Sequence, residues 1–143
     1  MIRRAGTADL PAITDVRTSV HENHLSIEQM TVRGITEAST AAAMLSGQLS
    51  AWVVETEGSI IAFAMVEPAA GKLFALFCRP EHAGKGYGSL LLGAAEEWLR
   101  GEGARSVTLD TGEHTAAVSF YEKRGYSIIG RKDGDVLMGK QLA

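Results

Sequence analysis

The sequence is poor in several features that mark other classes of protein. Its 143 residues include one cysteine, so neither an internal disulfide nor a cysteine-based zinc site can form, which agrees with a reducing, cytoplasmic location. The net charge of -3 supplies no basic field for a nucleic-acid backbone, so no nucleic-acid partner is expected. The longest unbroken apolar stretch, Ile60 to Val66, is far shorter than a membrane span, and no membrane association is expected.

The remaining composition is that of an ordinary globular domain. Hydrophobic residues make up 45% of the chain and charged residues 22%, close to the averages for soluble domains. No internal repeat and no linker rich in proline, glycine or serine divides the chain. We therefore expect a single domain over residues 1–143.

Helical and strand patterns alternate along the chain. Helices are predicted from Thr7 to about Val20, over Thr36 to Leu45, from about Tyr87 to Gly101, and across Ala117 to Arg124. Strands are predicted over Met1 to Arg4, Ala51 to Glu55, Ser59 to Val66, Leu73 to Cys78, Ser106 to Asp110, Tyr126 to Gly130 and Asp135 to Lys140. The pattern predicts a mixed α/β (α+β) fold, with a central sheet of six to seven strands and about four helices. The sheet should be mostly antiparallel at its start, with a parallel pairing across the helix that follows Gly88.

A glycine-rich turn, Gly84 to Ser89, stands between a predicted strand and a predicted helix. Free backbone N–H groups and a positive helix end then meet at one point, an arrangement that attracts phosphate. Side chains in place of the three glycines would hold a diphosphate away from the backbone, and Lys85 adds a positive charge. The alternative is a tight turn that only caps the helix. The spacing does not fit a P-loop, and the dinucleotide fingerprint lacks its third glycine although Asp110 is well placed for it.

Two ordered motifs resemble those of the GNAT superfamily of N-acetyltransferases. The run Leu76 to Leu92 is similar to its acetyl-CoA motif, and Ala117 to Tyr126 is similar to its second signature. The opening Ile2 to Ala5, followed by Asp9 to Pro11, is also typical of that family. The resemblance implies a GNAT-like fold and direct transfer of an acetyl group from acetyl-CoA, without a metal, to the primary amine of a small molecule or peptide.

The resemblance also implies which residues contact the cofactor. They lie on the strand before the turn, in the turn itself and around the second signature: Leu76, Phe77, Cys78, Ala83, Gly84, Lys85, Gly86, Tyr87, Gly88, Ser89, His114 and Lys123. His114 stands where the family often has an asparagine that binds the pantetheine or a water; a proton relay and an exposed histidine at a helix start are the alternatives. The family usually has glutamine or arginine where Ala83 stands, which predicts a weaker affinity for the cofactor. Cys78 is interpreted as a buried apolar residue rather than a nucleophile.

Acetyl transfer to an amine needs a proton donor for the departing thiolate and a base for the amine. A phenol with a pKa near 10 suits the first role, and the resemblance places a general-acid tyrosine at Tyr121; the alternative is a core aromatic beside Phe120. Many family members carry a glutamate on the strand before the glycine turn, but no acidic residue stands there in this chain. Glu67 and Glu22 are the nearest substitutes, with surface carboxylates as the alternative interpretation.

The segment His21 to Thr31 resembles the acceptor-side loop of one GNAT subgroup. Two histidines, His21 and His24, lack a third ligand at a clear spacing, so no metal is expected. The acceptor stays unnamed, and the C-terminal strand pair is compatible with a homodimer. Two rival hypotheses remain: a non-catalytic acyl-CoA sensor or interaction module, and a nucleotide-binding domain that does not use coenzyme A.

Overall fold

A computed structural model describes residues 1–142 as seven strands and five α-helices. The strands are β1 (Ile2–Arg4), β2 (Ser50–Thr56), β3 (Ser59–Glu67), β4 (Lys72–Cys78), β5 (Ser106–Gly112), β6 (Ser127–Lys132) and β7 (Asp135–Gln141). The helices are α1 (Leu10–Ser19), α2 (Ile27–Val32), α3 (Glu37–Ser46), α4 (Tyr87–Gly101) and α5 (Ala116–Glu122). Among these residues, no helix is long and apolar enough to cross a membrane.

The seven strands form one mixed sheet in the order β1-β2-β3-β4-β5-β7-β6. Strands β2 and β3 pair antiparallel, which agrees with the expected antiparallel start of the sheet, and β4 pairs in parallel with β5 across helix α4, as the sequence predicts. The remaining neighbours are antiparallel. The predicted mixed α/β fold with a central sheet is therefore confirmed.

Helix α2 is absent from the sequence prediction, which gives about four helices. It spans six residues, too few for an apolar period to stand out. A capping box begins it: Ser26 Oγ accepts from the N–H of Gln29 at 3.1 Å, and Gln29 Oε1 accepts from the N–H of Ser26 at 2.8 Å. The helix therefore depends on its cap and on the burial of Met30.

Helices cover both faces of the sheet. Helix α1 packs on one face through Leu10, Ile13 and Val16. Helix α4 packs on the other through apolar residues that include Leu91 and Leu99. Because both faces of β3 are covered, that strand is buried almost continuously, which explains its unbroken apolar sequence.

A buried polar cluster joins helix α4 to the last strands. The carboxylate of Glu96, 9% exposed, accepts from Tyr126 Oη at 2.7 Å and from Lys140 Nζ at 3.0 Å. Burial, followed by the bond to Glu96, raises the pKa of Tyr126 above its ordinary value. The cluster fixes α4, and with it the glycine-rich turn, against the C-terminal half of the sheet.

Glu96→Gln is expected to destabilise the protein, because the amide has one acceptor oxygen in place of the two that Tyr126 and Lys140 use, and the ammonium of Lys140 loses its counter-charge. The expected loss is roughly 1–3 kcal/mol of unfolding free energy, measured by urea denaturation. Glu97→Gln, one residue along the helix, is the matched control. Glu97 is 80% exposed and, within residues 1–142, pairs only with Arg100, so its replacement should change stability by no more than about 0.5 kcal/mol. Equal effects of the two substitutions would contradict a stabilising role for the cluster.

Candidate active site

The sheet splits between β4 and β5. Register pairing of these parallel strands is limited to Lys72 and Thr108, with a hydrogen bond of 3.0 Å from the N–H of Thr108 to the carbonyl of Gly71. Beyond this point β4 continues to Cys78 with its other edge paired to β3. Its edge towards β5 therefore presents backbone N–H and C=O groups to an opening rather than to a strand.

A cavity of about 1230 Å³ occupies this opening and extends under α1 and α2. Its walls include most of β4, the end of β5, the first turn of α5 and the loop after α1. Eight of the predicted site residues line it: Glu22, Leu76, Phe77, Cys78, Ala83, Gly84, Gly88 and Tyr121. The fold thus brings together residues that are separated by up to a hundred positions in sequence.

The glycine-rich turn has an unusual supply of unpaired donors. Within residues 1–142, none of the six backbone N–H groups from Gly84 to Ser89 donates a hydrogen bond, because the turn makes no ladder and the first helical turn has no partner. Gly84 and Gly86 adopt left-handed conformations with φ of 77° and 88°, and a Cβ at either would point into open space. The turn therefore has donors, a helix N-terminus and clear access, as an anionic diphosphate requires.

Contacts with the second signature hold this helix start in place. A Cβ on Gly88 would meet the ring of Phe120 at 3.2 Å, so this glycine lets α5 approach α4. The guanidinium of Arg124 lies over the same ring, 3.7 Å from its centroid, and its Nε donates to Ser89 Oγ at 2.8 Å. Arg124 is not among the predicted site residues, and it adds a positive charge beside the turn while leaving the hydroxyl of Ser89 able to donate.

Tyr121 lies in the cavity wall between two aromatic rings. It is 7% exposed, with Phe120 and Tyr126 packed edge-on at centroid distances of 5.2 and 5.4 Å. Burial raises the pKa of the Tyr121 phenol above its ordinary value, so it is a weaker acid than the sequence-based argument from a pKa near 10 assumes. The phenol consequently keeps its proton throughout the neutral range.

The two predicted bases occupy different places. Glu22 lines the cavity, and its Oε2 accepts from the N–H of Ala116 at 2.8 Å, at the start of α5. Glu67 pairs in register with Lys72 at the beginning of β4 and lines a second, smaller cavity of about 400 Å³ instead. Only Glu22 therefore faces the space that the strand opening creates.

The other predicted cofactor residues are arranged around the cavity rather than in it. His114 and Lys123 are exposed and lie at opposite ends of α5, outside the cavity lining.

Cys78, which lines the cavity, is half-buried. Burial and the nearby Glu81 raise the pKa of its thiol, and Lys85 lowers it by a smaller amount. Its thiol is therefore protonated near neutrality and a poor nucleophile.

The loop after α1 closes the cavity by binding to the end of β5. Asn23 Nδ2 donates to Thr111 Oγ1 at 3.0 Å, and Asn23 Oδ1 accepts from the N–H of Gly112 at 3.0 Å. Asn23 is in the left-handed region, with φ of 56°, which asparagine tolerates better than most residues. The segment predicted to be the acceptor-side loop thus reaches across the opening.

Asn23→Ala is expected to lower the unfolding free energy by roughly 1–3 kcal/mol, because two half-buried hydrogen bonds are lost and Thr111 and Gly112 lose their partner. Urea denaturation measures the loss. His24→Ala is the control, since His24 is an exposed neighbour in the same loop and its replacement should cost no more than about 0.5 kcal/mol. Stability equal to that of the unsubstituted protein would show that the loop is not held by Asn23.

Comparison with known proteins agrees with this geometry. Residues 12–126 match the family model of the acetyltransferase (GNAT) family. The chain is 30% identical over 134 residues to an uncharacterized N-acetyltransferase of Bacillus subtilis, with 87% of this chain and 88% of that protein covered. A shorter match, 36% identical over 73 residues, covers 50% of this chain and 22% of mycothiol acetyltransferase from Arthrobacter. In fold, the chain is similar to a PaiA N-acetyltransferase from Thermoplasma acidophilum solved with coenzyme A, with a TM-score of 0.84, 21% identity, and 99% and 98% of the two chains covered.

A sheet opened between two parallel strands, with a glycine-rich turn of unpaired N–H groups at one end of the opening, fits a coenzyme A-dependent acyltransferase. The chain belongs to the acetyltransferase (GNAT) family. Its reaction is acetyl transfer from acetyl-CoA.

Proposed function

We propose that this acetyltransferase acts on a primary amine of a small molecule or peptide, which attacks the acetyl group directly within the cavity between β4 and β5. The observation that carries the proposal is that the open edge of β4, the unpaired N–H groups of the glycine-rich turn and the phenol of Tyr121 border one space. In this proposal the donor binds at one end of the space and a proton donor stands in its wall, as direct acetyl transfer requires.

The residues present fit acetyl-CoA, which supplies an activated acetyl group as a thioester. Backbone N–H groups of Gly84 to Ser89 would hold the pyrophosphate, with Lys85 and Lys123 adding positive charge nearby. The open edge of Leu76, Phe77 and Cys78 would bind the pantetheine arm as a further strand and polarise the thioester carbonyl through a backbone N–H. Ala83, Tyr87 and His114 would complete the contacts.

Tyr121 is proposed as the general acid. Its raised pKa keeps the proton on Oη until a developing thiolate reaches it, and the residue lines the cavity beside Phe120. A buried donor of this kind is worth more to a developing negative charge than one in water, because fewer solvent dipoles compete.

Glu22 is proposed as the base, acting on the ammonium of the acceptor directly or through water. Its position in the cavity lining favours it over Glu67, which we retain only as an alternative that acts from the smaller cavity. Only one oxygen of the Glu22 carboxylate is used by Ala116, so the other is free to accept a proton.

Thiol release from acetyl-CoA tests the proposal. The purified protein is incubated with acetyl-CoA and a panel of primary amines, including amino acids, polyamines and short peptides, and the free thiol and the acetylated amine are both measured. Amine-dependent release with a stoichiometric amide product is the expected result. Binding of acetyl-CoA, seen as a raised Tm, without transfer to any amine would contradict it and favour the sensor hypothesis.

A further inference from the structure

Arg17 is a cation on α1 that lines the cavity, and the proposed acetyl transfer gives it no role. It lies on α1 seven residues after Leu10 and four after Ile13, in line with residues that pack on the sheet. Its guanidinium carbon sits 4.0 Å from the ring centroid of Phe77, on β4. The charge is therefore held beside the strand at which transfer is proposed to occur.

The guanidinium is only partly satisfied. Arg17 Nη2 donates to the backbone carbonyl of Asn23 at 2.9 Å, whereas Nη1 is buried and finds no partner among residues 1–142. A buried, charged donor without an acceptor is costly, and native proteins keep such a group where a ligand or water completes it. Arg17 borders the cavity, so a molecule in that space is placed to complete it.

The charges around Arg17 leave it without an anion. Within the described chain no carboxylate forms an ion pair with it. Four acidic residues line the cavity: Glu22 bonds to a backbone N–H, Asp110 pairs with Lys72, and neither Glu37 nor Asp135 lies within ion-pair distance of Arg17. Burial and then the neighbouring Arg33 lower the pKa of Arg17 to about 10, so the guanidinium is still charged at neutral pH. Arg33 borders the same cavity and adds to the positive potential.

We infer that Arg17 binds a carboxylate of the amine acceptor, so that the substrate class is amines that carry an acidic group, such as amino acids. The inference rests on the proposed function, because it concerns the acceptor of that same reaction. The planar fork of an arginine matches the two oxygens of a carboxylate, and stacking on Phe77 fixes the plane of that fork. Because the guanidinium adjoins β4, the carboxylate and the reacting amine are separated by a short spacer.

Matched acid and amide pairs test the inference. Each L-amino acid is compared with its amide, since the two differ in charge but hardly in shape, and kcat/KM is measured from thiol release. The acid of the preferred pair is expected to be used at least about 10-fold better than its amide, the difference that a charge-assisted hydrogen bond provides. The Tm of the protein with each acid and amide is recorded as a readout of binding that does not depend on turnover.

Arg17→Met keeps a long, unbranched side chain at this position and removes the charged group that stacks on Phe77. We expect it to abolish the preference for the acid, through a higher KM. The Tm without ligand should change little, because removing a partly unpaired buried charge offsets the loss of the bond to the Asn23 carbonyl. Arg17→Lys should retain part of the preference, and Arg105→Met, an exposed arginine outside the cavity lining, should retain all of it.

A wild-type protein that uses amides as well as acids, or a preference that persists in Arg17→Met, would overturn the inference; turnover of the amides would in that case still support amine acetylation. If no amine is acetylated but acids raise the Tm in an Arg17-dependent manner, the proposed function fails and the carboxylate site stands. If the protein shows no turnover and no Arg17-dependent binding of acids, the proposed function and the carboxylate site are both rejected.

Discussion

Tyr121→Phe is expected to lower kcat for amine acetylation by about 10²-fold or more, because the departing thiolate loses its proton donor. Phenylalanine retains the edge-on packing against Phe120 and Tyr126. Burial raises the pKa of Tyr121, and its hydroxyl makes no hydrogen bond within residues 1–142, so the substitution removes no hydrogen bond of Oη. Stability and acetyl-CoA binding should therefore be retained while turnover falls.

Tyr126→Phe is the matched control for this experiment. That tyrosine is also buried, but its hydroxyl bonds to Glu96, so phenylalanine there should lower the unfolding free energy with little change in kcat. Turnover of Tyr121→Phe equal to that of the unsubstituted protein would remove Tyr121 from the role of acid.

The pH dependence of kcat follows from the same burial. A phenol whose pKa is raised loses its proton only when the pH rises through that raised value. Between roughly pH 7 and 10, the range below the ordinary tyrosine pKa, Tyr121 should therefore cause no alkaline fall in kcat. A pH–rate profile with saturating substrates measures this. A fall in kcat with a midpoint below pH 10 that Tyr121→Phe eliminates would contradict the prediction.

Gly86→Glu is expected to weaken acetyl-CoA binding by about 10²-fold, since a carboxylate enters the space in front of the unpaired N–H groups and repels the pyrophosphate. Loss of even one or two charge-assisted hydrogen bonds accounts for that factor. Isothermal titration calorimetry with acetyl-CoA measures it. Any effect on kcat at saturating acetyl-CoA should be small by comparison, because the substitution is remote from the acetyl group.

Gly47→Glu controls for backbone strain in this comparison. Gly47 follows α3 and adopts φ of 85°, against 88° at Gly86, and a Cβ at either position meets no atom within 4 Å. Both substitutions should therefore lower stability by a similar amount, about 1 kcal/mol. A similar loss of affinity in both variants would attribute the effect to general destabilisation and not to the phosphate site.

The glycine-rich turn was predictable because its chemistry is local. Gly84 to Ser89 acquires free N–H groups from the order of strand, turn and helix, which sequence patterns show directly. Arg124 and Ser89 are 35 residues apart in sequence, and their contact depends on how α5 packs on α4. The spacing of residues within one helix does not predict how that helix packs on another, so it does not predict this contact.

The carboxylates illustrate a second limit. Glu67 ends the apolar run before β4, so in sequence it appears close to the reacting strand. Antiparallel register places it opposite Lys72, the first residue of β4, whereas Ala62 lies opposite Cys78. The register of the strand pair decides which residues lie opposite each other. Hydrophobic alternation indicates which face of the sheet a side chain is on, but not its partner on the next strand.

Arg17 did leave a signal that the sequence prediction did not use. It continues the spacing of Leu10 and Ile13 on one face of α1, where a charged residue interrupts an otherwise apolar stripe. Such an interruption indicates either an end of the buried face or a cation held against the core. The stacking on Phe77 shows that Arg17 is a cation held against the core. That contact joins residues 60 positions apart, so the sequence alone does not reveal it.

The split sheet has a consequence for how long the protein survives. The N-terminal strands β1 to β4 and the C-terminal strands β5 to β7 meet through little strand pairing, at Lys72 and Thr108. Acetyl-CoA bound across the opening would link the two halves. Because the unfolded chain does not bind it, an acetyl-CoA concentration above the Kd raises the unfolding free energy. Proteolysis through local opening between the two halves should therefore be slower when acetyl-CoA is bound.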